Sequence, residues 1–261
     1  MTDMLSNREK RAEIWRELRV RASRFGNLIL PPLCLACRRQ VEAHGALCVV
    51  CWSEIQFIAP PYCPVTGLPM PYDPGPGILS AAALADPPPY SLARAVMRYG
   101  GRGAELVHRF KYADGLEATP MFARWMYRAG QDAVRGADIV TPVPLHRTRL
   151  FSRRYNQSAE LARALAPLAG LVFLPDALEK VKATRPQVGL AGEARRRNVA
   201  GAFRARGAAA AIRNKVVVLV DDVVTTGATA NACSKALLKA GASEVRVLAL
   251  ARVVPEEGAI I

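Results

Sequence analysis

Residues 217–229 read VVLVDDVVTTGAT, and this run decides the fold class of the 261-residue chain. Its β-branched, apolar beginning is typical of a central strand that is buried on both faces of a parallel sheet. Two adjacent acids, Asp221 and Asp222, follow at once, and a helical segment then runs to Ala240. Because ligands of open α/β sheets bind outside the carboxyl ends of the strands, we expect a ligand site at this strand end.

The turn between this strand and the helix is suited to a phosphate group. Free N–H groups and the helix dipole favour an anion at a helix N-terminus. A glycine allows close approach of the backbone, and threonine hydroxyls add donors. We predict that a phosphate contacts five consecutive residues, namely Thr225, Thr226, Gly227, Ala228 and Thr229.

The two carboxylates need a separate explanation, because they would repel a phosphate. A ligand with a phosphate at one end and vicinal hydroxyls nearby satisfies both groups, since Asp221 and Asp222 would accept hydrogen bonds from the hydroxyls. A ribose 5-phosphate fits this description. The alternative is a helix cap plus a loop aspartate, which explains one acid and one threonine but not the whole cluster. The run lacks the lysine pattern of a nucleoside triphosphate loop.

The rest of the chain alternates strands with helices from Tyr90 onward, which predicts an α/β domain with a mostly parallel sheet and helices on both faces. The expected strands are residues 93–99, 138–140, 171–174, 216–220 and 244–253, and the expected helices are residues 120–130, 156–169 and 228–240. A further basic helix is predicted over residues 8–25.

Four cysteines form two CxxC pairs with ten residues between them: Cys34, Cys37, Cys48 and Cys51. Each pair lets two thiolates reach one metal ion, so the four predict one structural zinc site in a small N-terminal module. Redox pairs or disulfides are the alternatives, and a cytoplasmic location makes them less favoured.

The chain is strongly basic, with 36 lysines and arginines against 22 acids and a net charge of +14. This excess favours phosphorylated small molecules or nucleic acid as partners, although a generally basic surface explains it equally well. The sequence contains no apolar stretch long enough to span a membrane. We expect a cytoplasmic protein without membrane insertion.

Several motifs in the same order resemble the ComF family, whose members are linked to natural competence and DNA uptake. The 217–229 run resembles the motif with which type I phosphoribosyltransferases bind 5-phosphoribosyl 1-pyrophosphate (PRPP). The other motifs are PVPLH at 142–146 followed by Arg153 and YNQ at 155–157, RPQVGL at 185–190 followed by Arg195 and GAF at 201–203, and the cysteine module ahead of Lys111. Arg154 stands where the family usually has a glycine.

The resemblance implies a type I phosphoribosyltransferase-like fold behind a zinc-ribbon module. We predict a basic helix over 1–27, the zinc-ribbon module and a proline-rich linker over 28–89, the phosphoribosyltransferase-like domain over 90–254 and a tail over 255–261. The family often has a second ribbon, and Cys63, Thr66, Ser80 and Ala83 stand at its ligand positions. With one thiolate left, this second site is expected to hold no zinc.

The resemblance also implies the chemistry, in which an acceptor displaces pyrophosphate from PRPP with Mg²⁺ bound. Asp221 and Asp222 would be the catalytic pair. The residues expected at the pyrophosphate or in the closing loop are Lys111, Arg153, Arg154 and Arg195. Four arginines near the PVPLH loop favour phosphate binding, but we expect at least two of them to be plain solvated charges; they are Arg147, Arg149, Arg153 and Arg154.

Three roles stay open at this point. Asn156 and Gln157 either cap a helix or contact the ligand, and residues 185–203 form either a lid or an ordinary surface loop. The protein is either a transferase with an unknown acceptor or a non-catalytic PRPP sensor that binds single-stranded DNA or DNA-uptake proteins. Trp52 and Tyr62 are the only aromatic candidates for stacking on bases in the ribbon region, and we expect both to be core residues.

Overall fold

The structure is a computed structural model that describes residues 31–111, 115–146, 155–182, 199, 201–206 and 209–255. The predicted N-terminal helix and nearly all of the predicted tail lie outside these residues. The chain divides into two compact units, Met1–Cys51 and Trp52–Ile261.

The larger unit is built on a five-stranded, fully parallel sheet with the order β1-β7-β6-β2-β3. A separate antiparallel pair, β4 and β5, lies outside this sheet. The strands are β1 (Leu92–Arg98), β2 (Ile139–Pro142), β3 (Val172–Phe173), β4 (Leu178–Lys180), β5 (Phe203–Ala205), β6 (Val216–Val224) and β7 (Glu244–Arg252). The predicted α/β architecture with a mostly parallel sheet is therefore confirmed.

Helices cover both faces of the sheet. The helices of the described residues are α1 (Val49–Ser53), α2 (Ala81–Ala85), α3 (Gly101–Lys111), α4 (Thr119–Ala129), α5 (Gln131–Val134), α6 (Gln157–Ala169), α7 (Ala209–Ile212) and α8 (Ala228–Lys239), with a 3-10 turn at Leu116–Ala118. Helices α4 and α6 pack together on one face, while α8 and the β4–β5 pair contact the other. The apolar core lies between these layers and the sheet.

The central strand β6 is longer than predicted. It pairs with β2 only as far as Val220, but its pairing with β7 continues to Val224. The expectation that the strand ends at Val220 is wrong, because β7 offers hydrogen bonds beyond that residue. Asp221 and Asp222 thus lie beside the point where β2 has already ended, and this one-sided ending opens the sheet next to them.

Two features were not expected from the sequence. Helix α3 follows β1 directly and brings Lys111 back to the sheet. Only the end of residues 185–203 is described. There, the side chains of Val199, Ala202 and Phe203 are buried in the core. Both interpretations of residues 185–203, a mobile lid and an ordinary surface loop, are therefore wrong at that end.

A backbone segment from the second half of the ribbon region covers the outer edge of β1. Its hydrogen bonds replace a sixth strand and leave that edge closed to other chains. The bonds are Arg98 N to Gln56 O (2.8 Å), Ile58 N to Val96 O (2.9 Å) and Ala93 N to Val65 O (2.7 Å).

The turn at Gly67 packs directly onto β1. Its φ is +66°, and a Cβ built there would lie 2.2 Å from the Ala93 carbonyl oxygen. Gly75 in the same region has a φ of +96°, but a Cβ there meets nothing within 4 Å. A side chain at either position would strain the backbone, but only a side chain at Gly67 would also clash with the backbone of β1.

We expect Gly67→Ala to lower the free energy of unfolding by about 3 kcal/mol and Gly75→Ala by about 1 kcal/mol, because only the first adds a backbone clash to the strain. Urea unfolding of the zinc-loaded protein measures both values. Equal losses for the two variants would show that the Gly67 turn does not press against β1.

Candidate functional site

The two acids of β6 have different surroundings. Asp221 is buried at 8% exposure, and one of its carboxyl oxygens accepts hydrogen bonds from the Asp222 amide (2.9 Å) and the Ser158 hydroxyl (3.3 Å). Burial and the neighbouring charge of Asp222 raise the pKa of Asp221 to about 8. In the ligand-free protein Asp221 therefore holds a proton at neutral pH, while its neighbour faces a more open space.

Lys111 lies beside the second acid. Its ammonium nitrogen is 3.3 Å from a carboxyl oxygen of Asp222 and 5.9 Å from the centre of the Tyr99 ring. The sequence predicted a phosphate contact for Lys111, and the structure brings the residue to this strand end. The ammonium group offsets one of the two negative charges that would otherwise meet there.

The YNQ segment, residues 155–157, forms hydrogen bonds to the backbone at the end of α3, where Lys111 lies. The Tyr155 hydroxyl donates to the carbonyl of Phe110 (2.6 Å), and the Gln157 amide donates to the carbonyl of Lys111 (3.0 Å). These carbonyls belong to the last turn of α3, where backbone acceptors lack helical partners. Gln157 is almost fully buried, so it acts here as a helix clamp.

Asn156 acts as a helix cap. Its side-chain oxygen accepts from the Ser158 amide (3.1 Å) at the start of α6, and its side-chain nitrogen donates to the Val143 carbonyl (3.0 Å). Of the two roles that the sequence left open, capping is the one that the structure displays. The cap also ties the PVPLH loop to α6 and places Ser158 against Asp221.

The turn into α8 has the geometry of an anion-binding helix start. Gly227 is the N-cap residue with a φ of +79°, and it makes no side-chain capping bond. Helix α8 begins at Ala228 and is 12 residues long. The residues predicted to contact a phosphate therefore lie between Asp222 and the first turn of α8, at the same end of β6 as the two acids.

Four thiols of the smaller unit form a cluster. The sulfur atoms of Cys34, Cys37, Cys48 and Cys51 all lie within 4.8 Å of one another, and those of Cys37 and Cys48 are 3.6 Å apart. A tetrahedral zinc ion with bonds of about 2.3 Å needs sulfur separations of about 3.8 Å. The cluster therefore fits one structural zinc ion and has no open position for catalysis.

The thiols of this cluster differ in acidity. Burial opposes ionisation of Cys34, but amide hydrogen bonds from Cys37, Cys48 and Ala36 lower its pKa to about 6. Burial and the other three thiols raise the pKa of Cys51 to about 12. Zinc binding would release the remaining protons, because the metal ligand is the thiolate.

The turn at Cys63 in the second ribbon has the same backbone hydrogen bonds as the zinc-binding turn at Cys34. The Cys34 amide donates to the Arg39 carbonyl (2.7 Å), and the Cys34 carbonyl accepts from the Arg38 amide (3.0 Å). In the second turn, the Cys63 amide donates to the Leu68 carbonyl and the Cys63 carbonyl accepts from the Gly67 amide, both at 2.8 Å. The fourth residue after the cysteine is Arg38 (φ +64°) in the first knuckle and Gly67 (φ +66°) in the second. The two turns therefore have the same conformation.

The likeness extends to the third ligand position. The Cys48 amide donates to the Cys34 sulfur at 3.3 Å, and the Ser80 amide donates to the Cys63 sulfur at 3.4 Å. The Ser80 hydroxyl then accepts from the Ala83 amide at 3.4 Å. Within the residues that the structure describes, only the first knuckle gathers three or more potential metal ligands. Hydrogen bonds thus hold the second knuckle in shape.

Comparisons with known proteins match the cysteine-rich part of the chain and the part that contains β6 separately. A double zinc ribbon domain matches residues 25–82, and a phosphoribosyl transferase domain matches residues 160–258. The chain is 32% identical over 231 residues to the DNA utilization protein YhgH of Salmonella typhimurium, a match that covers 86% of this chain and 99% of that protein. It is 32% identical over 225 residues to competence protein F of Haemophilus influenzae, covering 84% of this chain and 90% of that protein. The chain belongs to the ComF family.

Two solved structures are similar to part of this ComF family member. The allosteric regulatory enzyme of purine biosynthesis has a TM-score of 0.37 and 22% identity, covering 55% of this chain and 30% of its own. A hypoxanthine phosphoribosyltransferase from Staphylococcus aureus has a TM-score of 0.30 and 14% identity, covering 52% of this chain and 64% of its own.

Some predicted residues of this ComF family member lie outside the described ranges. They are Arg147, Arg149, Arg153, Arg154 and Arg195. Sequence reasoning missed the roles of Ser158 and Tyr155, which are visible only once α6 is packed against β6 and α3. Within the described ranges, every helix is too short or too polar to cross a membrane.

We expect one zinc ion per chain, because among the described residues only the first ribbon brings four thiolates together. Cys48→Ser should lose the metal, whereas Cys63→Ser, a matched change in the second knuckle, should keep it. Zinc content by atomic absorption after gel filtration measures both. A ratio near two in the unaltered protein, or loss of metal from Cys63→Ser, would overturn the single-site assignment.

The raised pKa of Asp221 predicts an unusual pH dependence of stability. The folded protein keeps this proton up to a pH of about 8, whereas the unfolded chain releases it near 3.8, so the free energy of unfolding falls as the pH rises between these values. Asp221→Asn removes this dependence. Between pH 5 and pH 8 the free energy of unfolding of the variant should rise relative to that of the unaltered protein by on the order of 4 kcal/mol.

Asp138 provides the matched control. A backbone hydrogen bond from Val216 and the side chain of Lys215 lower its pKa, so its contribution is present above the unfolded pKa and is lost in acid. Asp138→Asn should therefore lose stability at neutral pH. Urea unfolding at several pH values measures both variants, and an Asp221→Asn curve parallel to that of the unaltered protein would contradict the buried, protonated acid.

Proposed function

We propose that this protein binds PRPP at the end of β6 and transfers its phosphoribosyl group to an acceptor, with release of pyrophosphate. The observation that carries this proposal is the meeting of Asp221 and Asp222 with the Gly227 turn of α8 at one strand end. Paired acids suit sugar hydroxyls, and the helix start suits the 5-phosphate of the same sugar. The phosphoribosyl transferase domain match supports the same ligand.

Residues 225–229 would anchor the 5-phosphate, because the turn offers backbone N–H groups and hydroxyls to it. The ribose hydroxyls would donate to Asp221 and Asp222. Deprotonation of Asp221 would accompany binding, since an acid that accepts a hydroxyl hydrogen bond is favoured in its charged form. Together these contacts would hold carbon 1 of the ribose in a fixed orientation toward the acceptor.

The reaction breaks the bond between ribose carbon 1 and a pyrophosphate oxygen, which leaves with the electron pair. A nucleophilic atom of the acceptor forms the new bond to carbon 1. Positive charge develops on the ribose, and the carboxylates of Asp221 and Asp222 would stabilise it. Carboxylate oxygens also suit Mg²⁺, which would neutralise the departing pyrophosphate when it is bound with PRPP.

Lys111 would act on the same charges. Its ammonium group lies 3.3 Å from a carboxyl oxygen of Asp222 and would bring positive charge to the departing pyrophosphate. The clamp from Tyr155 and Gln157 would limit its movement. We include Arg153, Arg154 and Arg195 as pyrophosphate candidates on the ground of the family resemblance.

The relatives are named for DNA utilization and competence, and we propose an association of this protein with DNA uptake on that basis. A cytoplasmic location belongs to the same proposal, because a thiolate zinc site needs reduced cysteines.

A second candidate function is a non-catalytic PRPP sensor that binds single-stranded DNA. Trp52 was expected in the core but is 47% exposed, and it lies with Phe57 and Trp125 at ring-centre distances of 4.9–5.3 Å. Two arginines on α4, Arg124 and Arg128, are exposed on the same helix as Trp125. Aromatic rings next to cations are the usual means of binding bases and phosphates of a single strand.

Titration with PRPP, with and without Mg²⁺, tests the site. We expect Asp221→Asn combined with Asp222→Asn to weaken PRPP binding by about 100-fold, because two charged acceptors of the ribose hydroxyls are lost. Asp138→Asn, at the opposite end of the same sheet, should bind as the unaltered protein does. Unchanged PRPP affinity in the double variant would refute the site.

Pyrophosphate release over a panel of acceptors then separates the two functions. Release that depends on an acceptor supports the transferase. Tight PRPP binding without release from any acceptor, together with a steep salt dependence of single-stranded DNA affinity, favours the sensor.

A further inference from the structure

Arg252, the last residue of β7, carries a buried guanidinium that lacks a carboxylate partner. It is 6% exposed, and its Nε has no hydrogen-bond partner within the described residues. Burial lowers the pKa of Arg252, and the polar groups that act against this lowering are the hydroxyl of Tyr90 and the thiol of Cys63. A buried charge without a counter-charge is strongly unfavourable, so its presence calls for a physical reason.

Other arginines of the same sheet have acids as partners. Buried Arg94 forms an ion pair with Asp132 at 2.5 Å, and Arg246 forms one with Glu244 at 2.8 Å. Arg252 differs from both, since no described carboxylate lies within ion-pair distance of it. Arg94 and Arg246 thus each have a carboxylate as counter-charge, whereas Arg252 has none among the described residues.

The place of Arg252 suggests where its counter-charge comes from. In the sheet it stands opposite Val224, the last residue of β6 before the turn into α8. The hydroxyl of Tyr90, its hydrogen-bond partner, is 3.9 Å from the point where a Cβ on Gly227 would lie. The buried cation is therefore linked through one phenol to the turn that we assign to the 5-phosphate.

Neither neighbour is a full counter-ion. Burial raises the pKa of Tyr90, so the phenol is neutral at physiological pH. Burial opposes ionisation of Cys63, but hydrogen bonds from Ser80 and Thr66 lower its pKa to about 7, which leaves the thiol only partly ionised at that pH.

We propose that Arg252 is a positioning residue of the phosphate turn: with Tyr90 it places a buried positive charge behind Gly227, and the 5-phosphate of the bound ligand is its counter-ion. This inference rests on the proposed function, since it names a further residue of the same site. It predicts that Arg252 destabilises the ligand-free protein and strengthens phosphate binding, because the buried charge is balanced only in the complex.

The test compares Arg252→Met with Arg252→Lys in the full, zinc-loaded chain, with ribose 5-phosphate as the probe. Calorimetric titration gives the affinity, and thermal unfolding with and without the probe gives the stability of each state. We expect Arg252→Met to bind ribose 5-phosphate about tenfold more weakly, since it loses a nearby charge, and to have an unfolding temperature equal to or above that of the unaltered protein without ligand. Arg252→Lys should keep most of the affinity.

Cys63→Ser is the control for the competing counter-charge. If the phosphate balances Arg252, this variant should bind ribose 5-phosphate as well as the unaltered protein does. A merely structural Arg252 would give the reverse pattern: Arg252→Met would lower the unfolding temperature and leave the affinity unchanged, and that result would overturn the inference. If Arg252→Met does not fold, equal affinities of Arg252→Lys and Arg252→Gln would overturn it instead.

The unaltered protein separates the two levels of the proposal. If it fails to bind ribose 5-phosphate and PRPP, the proposed function fails, and the role of Arg252 fails with it. If it binds both and Arg252→Met binds them equally well, only the inference about Arg252 fails.

Discussion

The placement of two carboxyl groups side by side at the end of β6 is the constraint on which the site depends. Two negative charges this close repel each other strongly when they are buried. In this protein the raised pKa of Asp221 keeps that acid protonated, and the ammonium group of Lys111 lies beside Asp222. The surrounding elements maintain this arrangement. The YNQ segment holds α3 so that Lys111 reaches its partner, and the cap of α6 sets Ser158 against Asp221. A sugar that brings hydroxyl donors would relieve the same constraint.

The turn at Cys63 in the second ribbon has the backbone hydrogen bonds of the turn at Cys34, without a cluster of metal ligands among the described residues around it. Pairing with β1 supplies the stability there that zinc supplies in the first ribbon. Arg94 adds to this attachment, since it binds the Pro64 carbonyl, lies 4.6 Å from the centre of the Tyr62 ring and forms an ion pair with Asp132. The remaining thiol, Cys63, thereby comes near Arg252 at the end of β7. The ribbon remnant thus contributes to the packing around the sheet.

The features that the sequence predicted well are those encoded within a few residues. The apolar run of β6, the Gly227 turn and the spacing of Cys34, Cys37, Cys48 and Cys51 each carry a local physical signal. Features that depend on a distant partner were missed or wrong. The extension of β6 to Val224 needs β7, and the partnership of Lys111 with Asp222 needs α3 to pack beside β6. The helical spacing of Leu106, Val107 and Phe110 was a local signal for α3 that the sequence analysis missed. The exposure of Trp52 and the missing counter-charge of Arg252 likewise follow from packing alone.

The central claim is that one strand end holds both the hydroxyls and the phosphate of a single ribosyl ligand, and backbone amide NMR during a titration with ribose 5-phosphate tests it most directly. We predict that the largest shifts fall on the amides of residues 221–222 and 225–229, that both groups saturate at the same ligand concentration, and that plain ribose shifts only the first group. Saturation of the two groups at different concentrations, or the largest shifts in the ribbon region, would contradict a single ribose phosphate site at the end of β6.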